Sequence, residues 1–297
     1  MDTFRREDAS SLLFLLRMGE HVGKDGNGPN PTRLWERGTG DWYYPTPSPG
    51  AGRDRLALRD VVGSGAVTTS RARLAHRVRK EISRMLLRAA TAGRVETELI
   101  RLGTSYGGWW VPTAVLRAGA CCYCAGAGED ISFDACLAER YACRVVTFDP
   151  TPRATEYVKA HTPAGNFTFV DKGLAGKSAT YRFYAPANPG EVSHSIRNLQ
   201  RTEVFFEAAC ITVADAMELL GDDRIDLLKL DIEGAEHDVV ADLLGRDIQP
   251  AALCMEFDQP CPPISLLRTV WSLRRAGYRP AKVERFNVTF VSDAVAY

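Results

Sequence analysis

Ile225-Asp-Leu-Leu-Lys-Leu-Asp-Ile-Glu-Gly-Ala-Glu-His237 is the stretch that most narrows what this chain can fold into, because an apolar run ends on Gly234 and an acid-rich helix start. Ile225, Leu227, Leu228, Leu230 and Ile232 read as a strand buried on both faces, the pattern of a central position in a parallel sheet. Ligands of such sheets sit at the carboxyl ends of the strands. Asp231, Glu233, Glu236 and His237 fall there, where acids without a use would cost desolvation energy. For Glu236 and His237 the competing reading is a solvated first helical turn, with Glu236 favoured by the helix dipole.

The pattern around this strand gives the fold class. From about Gly107 short apolar runs alternate with helical segments, as in an open doubly wound α/β sheet. Residues 120–125, 144–148, 167–171, 226–231 and 252–257 read as strands, and 133–140, 152–161 and 266–276 as helices. The segments 279–284 and 287–291 suit an antiparallel hairpin closing the sheet. An insertion, 173–220, carries Tyr181-Arg-Phe-Tyr184 and Ser193-His-Ser-Ile196.

Residues 1–104 have another character and read as an extension with lid, substrate or homo-oligomer contacts. A short helix is expected over 10–22, then a Gly- and Pro-dense loop over 23–54 with Trp35, Trp42, Tyr43 and Tyr44. Residues 68–92 read as a helix with Leu74, Val78, Ile82, Met85 and Leu86 forming an apolar stripe. Arg71, Arg73, Arg77, Arg79, Lys80, Arg84 and Arg88 surround it against the single acid Glu81. A solvated face is the first reading of those charges; RNA, a membrane surface or an acidic partner is the alternative.

Composition removes some classes of function. Lys+Arg 37 against Asp+Glu 37 leaves no net charge, so nothing global points to nucleic acid or an anionic membrane. No run reaches the roughly 18 apolar residues of a membrane span, Leu12 to Leu16 being broken by Arg17. A signal-peptide pattern is also missing, and the expected location is the cytoplasm. Cys121, Cys122 and Cys124 lie in an apolar run and Cys136, Cys143, Cys210 and Cys254 sit singly, as small buried hydrophobes do. The lone Cys121-x-x-Cys124 pair is too little for a zinc site.

The end of the first strand reads Ala125-Gly-Ala-Gly-Glu-Asp130, and Gly126 and Gly128 let backbone approach a ligand closely. Asp149 closes the second strand 21 residues after Gly128, near the spacing at which an acid receives ribose hydroxyls. NAD fits poorly, since Ile131 replaces the third Gly and Glu129 and Asp130 would repel a pyrophosphate. A nucleoside cofactor without phosphates fits: S-adenosylmethionine offers a ribose to Asp149, an adenine to the strand end near Asp171, and cations that tolerate acids.

Gly107-Gly-Trp-Trp-Val-Pro112, Gly126-Ala-Gly-Glu-Asp-Ile-Ser-Phe-Asp134, Phe148-Asp-Pro-Thr-Pro-Arg153, Ser193-His-Ser-Ile196 and Asp226-Leu-Leu-Lys-Leu-Asp-Ile-Glu-Gly-Ala-Glu236 together resemble the FkbM family of S-adenosylmethionine-dependent methyltransferases. The resemblance spans about residues 105–292. It implies a Rossmann-like class I methyltransferase: an α/β, mostly parallel seven-stranded sheet whose last strand is antiparallel, behind a helical N-terminal extension. It implies a cofactor site of Gly126, Gly128, Asp149, Pro150, Asp171 and Asp231. Many methyltransferases place an acid where this chain has Cys124, and that role passes to Glu129 or Asp130.

Methyl transfer is an in-line displacement, so the protein aligns donor and acceptor and excludes water. With an alcohol as acceptor a base takes its proton, and His194, His237, Asp231 and Glu256 are the candidates. Asp231, Glu233, Glu256 and Asp258 could together hold Mg²⁺ through oxygen; the metal-free reading is preferred. The expected activity is O-methylation of a sugar or other hydroxylated natural product. Methylation of RNA or protein through the 71–88 helix, and a non-catalytic binding module, are the alternatives.

Overall fold

The computed structural model describes residues 70–185, 194–198, 202–257 and 261–294. The expected 10–22 helix, the 23–54 loop, Ser193 and Asp258 lie outside the described residues, as do the side chains of Arg71, Arg73 and Leu74.

Helix α1 (Ser70–Ala90) leads into a hairpin of β1 (Leu99–Leu102) and β2 (Trp109–Pro112). The α/β alternation follows: β3 (Cys121–Ala125), α2 (Ser132–Ala135, continued by a wide π-turn over Cys136–Arg140), β4 (Arg144–Phe148), α3 (Pro152–Ala160) and β5 (Phe167–Val170). The insertion supplies β6 (Gly173–Leu174), β7 (Ala179–Tyr184) and β8 (Phe205–Ile211), a separate three-stranded sheet, and α4 (Val213–Leu220). The chain returns through β9 (Leu227–Leu230), α5 (Glu236–Gly245), β10 (Ala252–Glu256), α6 (Pro263–Arg275), β11 (Tyr278–Glu284) and β12 (Asn287–Ser292).

The main sheet has seven strands in the order β11-β12-β10-β9-β3-β4-β5. β12 runs antiparallel to both neighbours, and the other pairs are parallel. This is the doubly wound class expected from the sequence, with the antiparallel C-terminal strand inserted one place from the edge. β3 and β9 are buried at every position, as their unbroken apolar runs require. One core, including Tyr123, Phe148, Leu228, Leu230, Val240 and Phe290, packs against one face of the sheet, and another, with Phe133, Leu137, Cys122 and Cys254, against the other.

Register sets the site. Leu230 of β9 pairs with Ala125 of β3 and with Met255 of β10, and Ala125 pairs with Phe148 of β4. One residue further along each strand stand Asp231, Gly126, Glu256 and Asp149, in one row at the carboxyl end.

Helix α1 turns differently from its apolar pattern. It buries Ser83 and Leu87, and lays Lys80 and Arg84 over the Phe286 ring at 5.8 and 5.7 Å from its centroid. Val78, Ile82 and Met85 of the expected stripe stay 49, 46 and 69% exposed. Periodicity marks an apolar side of a helix but not the direction in which it faces. Here the aliphatic stems of Lys80 and Arg84 supply part of the packing surface.

Candidate active site

The strand-end row opens into a cavity of about 540 Å³ lined by segments from across the chain. Gly126 comes first, because its φ of 88° and its contact with β9 leave no room for a side chain: a Cβ would lie 1.8 Å from the Asp231 carbonyl oxygen. Only glycine permits that approach. The loop is then fixed by Asp149, a buried carboxylate whose Oδ2 accepts from the amides of Ala127 (2.9 Å) and Gly128 (3.0 Å). Its Oδ1 accepts from the Thr151 amide and hydroxyl, and the Thr151 hydroxyl in turn caps α3 by accepting from the Ala154 amide. Asp149 therefore braces two loops of the site at once.

Asp130 caps α2 by accepting from the Ser132 amide at 2.9 Å, while its other oxygen receives the Thr104 hydroxyl and the Gly107 amide. It ties the 103–108 loop to the cofactor loop. Arg101 holds the same loop through the carbonyls of Thr104, Ser105 and Gly108. The loop carries Tyr106 to the cavity, where burial and the nearby Asp231, Glu233, Glu256 and Asp130 raise the phenol's pKa. Glu129 forms an outer ion pair with Arg153 at 2.6 Å.

Under the loop lies a charge that motif reading misses. Lys229, 4% exposed, donates to the Gly126 carbonyl at 2.6 Å and lies 3.4 Å from Asp231 Oδ2. Burial alone would lower its pKa; Asp231 and Asp134 outweigh that and hold the ammonium above its ordinary value. Asp134 is buried beside it and accepts the Thr147 hydroxyl; burial raises its pKa, with Lys229 opposing. A Lys inside a strand that reads as buried on both faces is the available signal, since a buried ammonium requires partners. Cys124 is enclosed in this layer, its thiol pushed up by burial and Asp134, and does not line the cavity.

Asp231 and Glu256 face the cavity together. Burial, followed by the charge of Asp231 and a hydrogen bond with it, holds the Glu256 carboxyl far above the ordinary range. Glu233 sits at φ 56°, and its carbonyl accepts the Ser195 hydroxyl from the insertion. Arg197 pairs with Asp238 at 2.9 Å across the same junction. The insertion is thereby docked on the β9–α5 loop, and His194 beside it lines the cavity with its ring 5.2 Å from Phe206.

Other candidates go elsewhere. Glu236 is buried and accepts from the amides of Ile232 and Gly234, capping the loop rather than lining the cavity. His237 does not reach the cavity: its ring nitrogens contact Thr269 Oγ1 at 2.8 Å and Cys261 Sγ at 3.2 Å. Burial, then Arg197, lowers its pKa to about 4. Asp171 is exposed after β5 and outside the lining, whereas Pro150 lines it. Among the described residues no three His, Cys, Asp or Glu side chains converge to hold a metal ion.

The glycines, the row of acids and the Phe148-Asp-Pro-Thr-Pro152 turn meet as one site, and a family profile described as the methyltransferase FkbM domain matches residues 121–280, more than half of the chain. The chain belongs to the FkbM methyltransferase family. S-adenosylmethionine is its cofactor. The site suits it: the Ala127 and Gly128 amides are spent on Asp149, not available to a pyrophosphate, and the acids face where a sulfonium and an ammonium would stand.

No curated protein matches the chain. Among solved structures it is similar to a TehB-like SAM-dependent methyltransferase from Corynebacterium glutamicum, with 13% identity over 61% of this chain and 84% of that one and a TM-score of 0.32. It is also similar to Aeropyrum pernix fibrillarin with natively bound S-adenosyl-L-methionine, at 10% identity, 68% and 85% coverage and a TM-score of 0.36. A third is 1,6-didemethyltoxoflavin-N1-methyltransferase from Burkholderia thailandensis, at 14% identity, 80% and 94% coverage and a TM-score of 0.30. None of these likenesses bears on the acceptor of the FkbM chain. No helix among the described residues is long and apolar enough to cross a membrane.

Proposed function

We propose that this FkbM methyltransferase methylates a hydroxyl group of a small hydroxylated molecule, with Asp231 as the general base. The observation that carries the reading is the geometry of two carboxyl groups, Asp231 and Glu256, side by side on adjacent strand ends at the cavity floor, level with the Gly126 loop. S-adenosylmethionine supplies an electrophilic methyl group at this row of strand ends. Lys229 pairs with Asp231 from beneath and orients it. Asp231 takes the proton from the acceptor hydroxyl as the methyl–oxygen bond forms and the sulfur–methyl bond breaks, the electron pair staying on sulfur. Tyr106 and the docked insertion with His194 contribute walls of the cavity that the acceptor enters. The cytoplasm is the location proposed, supported by eight cysteines that are all free.

The test is transfer of a labelled methyl group from S-adenosylmethionine to a pool of sugars, phenols and polyols, with the product bond read by mass spectrometry and NMR. An O-methyl product that disappears in Asp231→Asn supports the reading. Transfer to nitrogen or carbon, transfer to RNA, or no heat on titration with S-adenosylhomocysteine would overturn it.

A further inference from the structure

Sheet order gives the cavity two ends of opposite charge. On the β4–β3–β9 side stand Asp149, Glu129, Asp130 and Asp231. Across β10, toward β12 and β11, the rim consists of Lys80, Arg101, Glu284, Arg285, Phe286 and Asn287. Arg101 is committed to three loop carbonyls and lies 3.9 Å from Glu284, so these two charges answer each other. Lys80 and Arg285 are left: among the described residues neither forms an ion pair.

Both cations line the rim beside Phe286. Phe286 is 6% exposed and is covered by Lys80 and Arg84 from α1, while Arg285 precedes it at the tip of the β11–β12 turn. Arg285 holds a φ of 56°, a left-handed conformation unfavourable for a non-glycine residue. Arg84 is answered by Glu81 at 2.9 Å, whereas Lys80 and Arg285 leave positive charge at the rim that an anion would offset. Strands are spaced about 4.8 Å apart, so this rim lies one to two strands, roughly 5–10 Å, beyond the Asp231–Glu256 floor.

Resting on the methyltransferase reading above, we infer that the acceptor carries an anionic group, a phosphate, sulfate or carboxylate, which Lys80 and Arg285 bind while its hydroxyl meets Asp231. The anion fixes the acceptor's far end and the floor fixes its reacting end. Neither cation belongs to the cofactor loop.

The full chain, saturated with S-adenosylhomocysteine, is titrated at low salt with matched acceptors: glucose against a glucose phosphate, a glucose sulfate and glucuronate, and hydroxybenzyl alcohol against hydroxybenzoate. At least one anionic member should bind about tenfold more tightly than its neutral counterpart, and added salt should erode the difference. The arms separate phosphate, sulfate and carboxylate as the group read. Lys80→Ala with Arg285→Ala should remove the preference, and Lys80→Glu with Arg285→Glu should reverse it, with S-adenosylhomocysteine affinity unchanged in both. Binding without a charge preference, no binding of any anionic member, or a preference that survives both double variants overturns the inference. Failure of the wild-type chain to bind S-adenosylhomocysteine would sink the methyltransferase reading instead, which keeps the two failures apart.

Discussion

At the end of the cavity floored by β3, β4 and β9, Asp149 and Asp130 are held by amides and hydroxyls of their own and neighbouring loops, and Lys229 is held by Asp231 and a glycine carbonyl. At the β12–β11 end, the charges stand on side chains from α1 and a hairpin tip. The first end is set by the ends of adjacent strands and cannot shift without moving the sheet. The second is assembled from α1 and the β11–β12 turn, neither of which braces the cofactor loop. A site divided in this way keeps its donor while its acceptor varies.

Gly126→Ala strikes hardest at the cofactor end. With a Cβ 1.8 Å from the Asp231 carbonyl, β3 and β9 must part, and S-adenosylhomocysteine affinity should fall by about a hundredfold or more, read by calorimetry. Near-normal affinity would show that the cofactor end is not rigid. Asp231→Asn should slow turnover by about 10²–10⁴-fold while changing cofactor affinity far less, a split visible in single-turnover rates against equilibrium binding. Asp149→Ala should weaken cofactor binding by about tenfold and leave acceptor binding alone; an equal loss of both would dissolve the distinction between the two ends.

Glu256→Gln tests the floor through stability. The folded pKa of Glu256 is raised above its ordinary 4.5, chiefly by burial and then by Asp231. Its contribution is therefore full below that value and is lost as pH rises toward the folded pKa. The Gln variant should melt higher than the wild type at neutral to alkaline pH, and this advantage should vanish below pH 4.5. His237→Asn should have the smallest effect on turnover, within about twofold, since the ring lies outside the cavity. Burial lowers its folded pKa from 6.5 to about 4, so its contribution is present above 6.5 and fades as pH falls toward 4. Melting temperatures across that window should fall more steeply for the wild type than for the variant.

The strands are legible in the sequence because their residues are apolar in uninterrupted runs, and Gly126, Asp149 and Asp231 are legible because each stands one step beyond such a run. His237 looks equally well placed, close behind Asp231 and Glu233, but helix phase decides where it points: α5 turns its ring toward Thr269 and Cys261. Lys229 is hidden by the apolar residues around it, although those neighbours are what force it to find Asp231 and Gly126. The stripe on α1 is apolar as its periodicity predicts, but its facing depends on Phe286, about 200 residues further on.

The α/β alternation, the glycine loop and the acids at the strand ends are written in consecutive residues, whose period and chemistry need no distant partner. That Asp231 meets Glu256, that His237 is packed away and that Lys80 and Arg285 share a rim emerge only on folding. Those relations depend on sheet order, register and helix phase, which bring together side chains that the chain separates by as many as 205 positions.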